Sequence, residues 1–178
     1  LHSHDYESFR DNIAISQDVT YLFAPPADRE LGSGRPIAEL VKWVGYLIWG
    51  NDAGWFHLLV VALHTIVALL LAFSARLLGM DLASSFLGGF LFLVNSAHFQ
   101  AVHWISAMDY PLALSFGLCA LISFLRFLVH GSRAWLLAFY LTAILGILAH
   151  LSTAVIWPFC LYLCWYKGFS FKTALRSL

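Results

Sequence analysis

Three short polar stretches in this chain carry residue types that can do chemistry. His4-Asp5-Tyr6-Glu7 gathers an imidazole and two carboxylates in four successive positions. A carboxylate in such a place can act as a general base towards an acceptor hydroxyl, or hold a divalent cation. Asn95–Asp109, NSAHFQAVHWISAMD, holds His98 and His103, the amides of Asn95 and Gln100, Trp104 and Asp109, and no Lys or Arg. His150, Ser152 and Thr153 form the third stretch. Each has a plainer reading: a solvated acidic loop, and turns at a bilayer surface with Trp104 as an interfacial anchor. His98 and His103 lack the H-x-x-x-H spacing of a zinc site, and no HExxH occurs. Cys160 and Cys164 share one helix face, an arrangement that suits packing better than ligation.

The elements that position these stretches follow from composition. Hydrophobic residues are 61% of the chain and charged residues 11%, with a mean hydropathy of +0.78. A soluble domain has about a quarter of its residues charged. Too few charges remain to cover a water-facing surface, so the chain reads as an integral membrane protein. The zero net charge argues against a nucleic-acid footprint.

The expected fold is all-α: a polytopic transmembrane helix bundle with an extracytoplasmic N-terminal loop over residues 1–54. Within that loop Ala24–Pro36 has turn chemistry, with paired prolines and two glycines. Pro36 then opens an amphipathic helix near 36–50. Ile37, Leu40, Val41, Val44, Leu47 and Ile48 form its apolar stripe, and Glu39 and Lys42 lie off it. It reads as an interfacial helix lying on the bilayer.

Residues 55–178 read as the bundle, with about five spans near 55–78, 82–99, 111–129, 134–149 and 152–166. The second could end at Val94 or run on to Phe99. His64, mid-span in the first, reads as a histidine satisfied inside the bundle. Ser84, Ser85, Gly88 and Gly89 in the second permit close helix approach. The apolar run Ala134–Tyr166 is too long for one crossing of about 30 Å, and His150 to Thr153 mark its break.

This topology leaves Arg76, Arg126, Arg133, Lys167, Lys172 and Arg176 inside with Asp81, and every other acid outside. That is a positive-inside bias. It puts all three polar stretches on the outer face. The chain reads as part of a longer one, with a further helix before it. A bacterial inner membrane is the expected location, with the C-terminal tail cytoplasmic.

The chain also resembles a known family. Arg35-Pro36, then Phe56-His57 and Leu63-His64, then His98, Val102 and Trp104-Ile105-Ser106 follow the pattern of multi-spanning GT-C glycosyltransferases. The likeness is to the protein O-mannosyltransferase-like group, including members with tetratricopeptide repeats. It covers most of the chain, though much of the agreement is apolar.

The resemblance implies an inverting transfer of a sugar from a polyprenyl-phosphate donor to a protein or glycan acceptor on the outer face. It makes Asp5 the base, or an acid linked to a cation such as magnesium or manganese. It places Arg35 at the lipid phosphate, where a guanidinium fork suits the ligand. His4, His98, Gln100, His103, Trp104 and Asp109 become site-lining residues.

The chain departs from the family pattern at several positions. His4 stands where the first acid of a pair is usual, and Asn95-Ser96 replaces a His-Pro. Gln100 replaces an acid, Met108 an Arg, and His150-Leu151-Ser152 a Ser-Lys-Glu-like loop. Asp109 or His103 could take over the role lost at Gln100. The alternatives of other classes are a transporter or flippase for a lipid-linked or small polar substrate, and an inactive scaffold of the same fold.

Overall fold

The structure, a computed structural model, describes residues 13, 15–23 and 34–166; His4 and Asp5 lie outside the described residues. Among the described residues all regular structure is helical. Helix α1 (Pro36–Trp49) begins on a proline, whose missing N–H costs nothing at a first turn. It ends at Gly50, whose φ of +62° stops the helix. Helix α2 (Ala53–Leu78) starts where the Asp52 carboxylate accepts from the Gly54 N–H at 2.8 Å. Gly79, in the left-handed region, closes it.

Helix α3 (Leu82–Val94) is capped by Asp81, which accepts from the Ser84 N–H at 2.9 Å. It stops at Val94, the earlier of the two ends that the sequence allows. There the Asn95 side chain accepts from the Ala97 N–H at 3.0 Å and turns the chain into the 3-10 turn Ser96–His98. The short helix α4 (Phe99–His103) and a second 3-10 turn, Ile105–Met108, lead into α5 (Asp109–His130). Helix α6 (Arg133–Ala149) ends at His150, which is extended; the 3-10 turn Leu151–Val155 then leads into α7 (Ile156–Tyr166).

Two stretches, Ala53–Leu78 and Ile105–His130, are long and apolar enough to cross a membrane. Each has 26 residues, or about 39 Å of helix if fully α-helical. The other apolar segments, Leu82–Val94, Arg133–Ala149 and Leu151–Tyr166, are shorter.

Helix α5 is the centre. It packs against α6 and α2, and its Leu118, Leu121 and Phe124 meet Val67 of α2, Phe139 and Ala143 of α6, and Ile156 and Cys160 of α7. Helix α3 leans on α2 through a small-residue contact. A Cβ at Gly89 would lie 2.7 Å from the Ala68 carbonyl oxygen, so only glycine fits there. Ser85, one turn earlier, is buried as well. The outside of the bundle carries many large apolar side chains, with Leu69, Phe86, Val129, Leu137, Val155 and Trp165 all exposed.

The apolar stripe of helix α1 is divided: Ile37 and Val41 pack against Leu112, Ala113 and Ala149, and the rest turns outward. Val44, Leu47 and Ile48 of its apolar stripe are exposed. Ala38, Glu39, Lys42 and Gly45 are buried. Gly45 lets the Phe56 ring come within 3.0 Å of where a Cβ would stand. The charges that fall off the stripe are therefore directed at the bundle, because polar partners wait for them there.

Candidate functional site

Five of the described elements bring polar groups to one end of the bundle. These are α1, the N-terminus of α5, the two 3-10 turns that precede α5, and the break after α6. Three positions of α1 and its approach, Arg35, Glu39 and Lys42, follow the i, i+4, i+7 spacing that puts side chains on one helix face. That face lies against the loop preceding α5.

Arg35 makes an ion pair with Asp109 through Nη1 and Oδ2. The Asp109 side chain is 2% exposed and that of Arg35 33% exposed. One end of the pair is thus sealed and the other opens outward. The Arg35 N–H also donates to Glu39 Oε1 at 3.5 Å. Further along α1, Lys42 Nζ donates to the Ser106 carbonyl oxygen at 3.3 Å. Helix α1 therefore holds the Ile105–Asp109 segment at two points. Ile105 completes the contact by burying itself against Phe56, with Tyr46 and Trp49 packed around them.

The aromatic ring after Asp109 joins the third polar stretch to the same place. The Arg35 guanidinium lies 5.8 Å from the Tyr110 ring centre, within cation–π range. The His150 ring lies 4.6 Å from the same ring. His150 Nδ1 accepts from the Ser152 N–H at 3.1 Å and lies 2.7 Å from Ser152 Oγ. Burial, and then the positive charge of Arg35, push the His150 pKa below its ordinary value. Thr153 Oγ1 lies within hydrogen-bond reach of the Ala113 and Gly146 carbonyls, and ties this break to α5 and α6.

The sequence-predicted residues divide into two groups. Arg35 and Asp109 are in direct contact. His98 sits apart from them, its ring 4.4 Å from Phe92 and 5.4 Å from His64. His64 is buried and bonded to the Leu93 carbonyl, so it is satisfied inside the bundle. His103 is exposed, with its ring 4.1 Å from that of Phe99. Trp104 is half-buried at the start of the Ile105–Met108 turn. Gln100 lies on α4, and its side chain is outside the described residues.

Sequence reasoning placed Glu39 and Lys42 off the apolar stripe without assigning them to the site, and it missed Tyr110. The signal for the first two was present: with Arg35 they make a charged face on a helix whose other face is wholly apolar.

Among the described residues no three His, Cys, Asp or Glu side chains converge as metal ligands. Of the two buried carboxylates at this end, Asp109 is taken up by Arg35 and Glu39 accepts from the Arg35 N–H, so the described donors do not fit a divalent cation. What they can do is hold an anion. Arg35 keeps guanidinium N–H groups beyond those used by Asp109, and an aromatic ring and an imidazole stand beside it. The chain matches no family model, no curated protein and no solved structure.

Proposed function

We propose that this protein is a membrane-embedded glycosyltransferase that moves a sugar from a polyprenyl-phosphate donor to a hydroxyl acceptor on the extracytoplasmic face. The five apolar helical segments cross the bilayer or reach into it, with the long N-terminal loop outside and the basic C-terminal tail in the cytoplasm. A bacterial inner membrane suits this topology.

The observation that carries the proposal is the Arg35–Asp109 pair. Arg35 belongs to the Arg-Pro pair and Asp109 follows the Trp-Ile-Ser triplet, two of the parts of the sequence that resemble GT-C transferases. Their contact supports reading two stretches distant in the chain as parts of one site. The membrane part of the proposal is supported by α2. Only 28% of its most apolar window is buried, whereas the core helix of a soluble protein would be mostly covered. The outward Val44, Leu47 and Ile48 of α1 extend the same apolar exterior.

In the proposed reaction Asp5 accepts the proton of the acceptor hydroxyl. The oxygen attacks the anomeric carbon from the face opposite the phosphate. The bond from that carbon to the phosphate oxygen breaks, and polyprenyl phosphate leaves with both electrons. Arg35 holds the phosphate and offsets its growing charge. Asp109 is a positioning residue, because its carboxylate is committed to Arg35 and buried. His98, Gln100, His103 and Trp104 remain the other site-lining residues of the proposal.

The test is transfer from a synthetic polyprenyl-phosphate hexose by the full-length protein in nanodiscs. Asp5→Ala is expected to abolish transfer while membrane insertion stays normal. Unchanged transfer would remove the base assignment. An absence of transfer by the unsubstituted protein with every donor sugar tried would favour a scaffold.

A further inference from the structure

We infer that His150, in its neutral form with the proton on Nε2, is a second hydrogen-bond donor for a phosphodiester held by Arg35. The inference rests on the proposed donor chemistry but assigns a residue that lies in none of the matched motifs.

The tautomer follows from the turn. His150 is the residue before the 3-10 turn Leu151–Val155, and its Nδ1 accepts from the Ser152 N–H at 3.1 Å. A nitrogen that accepts cannot carry a proton. The ring proton of a neutral imidazole is then on Nε2, the atom directed away from the turn. A proton on Nδ1 would have to turn to Ser152 Oγ, 2.7 Å away, and would give up the bond from the Ser152 N–H.

The surroundings agree. The ring rests beside Tyr110, buried on one side, and the charged group acting on it is Arg35. Of the acids at this end, Asp109 is paired with that Arg35 and Glu39 accepts from the Arg35 N–H, neither of them partnering the imidazole. Both Arg35 and His150 lie beside Tyr110, at 5.8 Å and 4.6 Å from its ring centre. A fixed cation and a fixed neutral donor around one aromatic ring suit a singly charged phosphodiester. A neutral donor also adds no charge that would hold the anion after the sugar has gone.

The experiment uses the full chain in detergent micelles, with dihexyl phosphate and dimethyl phosphate as probes. Both keep one negative charge between pH 5 and 9. Binding is read by calorimetry, and the imidazole by nitrogen NMR of 15N-histidine protein. The neutral Nε2–H form is expected for His150 at pH 7, with its Nε2 resonance shifting on addition of dihexyl phosphate. His150→Phe is expected to weaken binding about tenfold or more. His150→Gln, which can offer an N–H from a similar place, is expected to stay within about threefold of the unsubstituted protein. Tighter binding of dihexyl than of dimethyl phosphate supports a lipid-borne phosphodiester, and equal binding supports the anion subsite with a free source.

A His150 that binds as imidazolium, or an Nε2 resonance that the probes do not move, overturns the inference even if the Phe variant fails to fold. Equal binding by His150→Phe also overturns it, while transfer that still depends on Asp5 would leave the glycosyltransferase reading standing. Loss of binding in His150→Phe without any sugar transfer would do the reverse.

Discussion

Asp109 and Arg35 share an ion pair in unequal settings: the carboxylate is sealed in the bundle and the guanidinium is a third exposed. Removing either partner therefore has a different cost. Arg35→Ala leaves a buried carboxylate with no counter-charge, and is expected to destabilise the protein by about 3–5 kcal/mol. Asp109→Asn leaves an arginine that can still reach water, and is expected to cost about 1–3 kcal/mol. Thermal unfolding in one detergent should rank Arg35→Ala below Asp109→Asn. The opposite order would show that Asp109 is not sealed.

Helix α1 offers a test of the surroundings of the bundle. Its outward residues Leu47 and Ile48 are 59% and 67% exposed, whereas Lys42 is 7% exposed. A fluorophore on a cysteine placed at Ile48 is expected to be quenched by nitroxide-labelled lipid and spared by iodide. Quenching by iodide alone would put this face in water. Lys42→Met removes the donor to the Ser106 carbonyl and is expected to cost about 1–3 kcal/mol.

The two neighbouring glycines of α3 should behave oppositely. A Cβ at Gly89 meets the Ala68 carbonyl oxygen at 2.7 Å, and one at Gly88 meets nothing within 4 Å. Gly89→Ala is expected to destabilise by about 1–3 kcal/mol, because helix backbones must separate. Gly88→Ala is expected to be neutral or to stabilise by up to about 1 kcal/mol, from the lower helix propensity of glycine. Melting temperatures of the two variants decide this.

A third glycine tests the break after α6. A Cβ at Gly146 would lie 2.5 Å from Thr153 Cγ2. Gly146→Ala should destabilise, and adding Thr153→Ser should recover part of the loss. The serine keeps the hydroxyl and removes the clashing methyl. A double variant no better than the single would place the strain elsewhere.

His150 sets a pH dependence. Its pKa in the folded protein lies below the ordinary value, so the unfolded chain binds more protons as pH falls. Stability is therefore complete above the unfolded value of about 6.5 and is lost as pH drops below it. His150→Gln should flatten the melting temperature between pH 7 and pH 5. A profile unchanged by the substitution would assign the dependence to another group.

The sequence alone holds much of what starts and stops the helices, although it left the end of α3 open between Val94 and Phe99 and put the start of α7 near 152 rather than at Ile156. Pro36, Asp52 and Asp81 open helices, Gly50 and Gly79 close them, and Asn95 and His150 break apolar runs, each through its own backbone or side-chain chemistry. The apolar exterior was legible in the same way, because so few charges cannot cover a bundle. The direction of α1 was not. Its stripe showed two faces, but which face turns inward depends on partners remote in the chain: the Ser106 carbonyl for Lys42 and Asp109 for Arg35. Local periodicity is blind to such partners. Only the tertiary structure could join the Arg-Pro pair, the stretch ending in Asp109 and the His150 turn around Tyr110, because that meeting is made by the packing of α5 against α6 and by α1 lying across their ends.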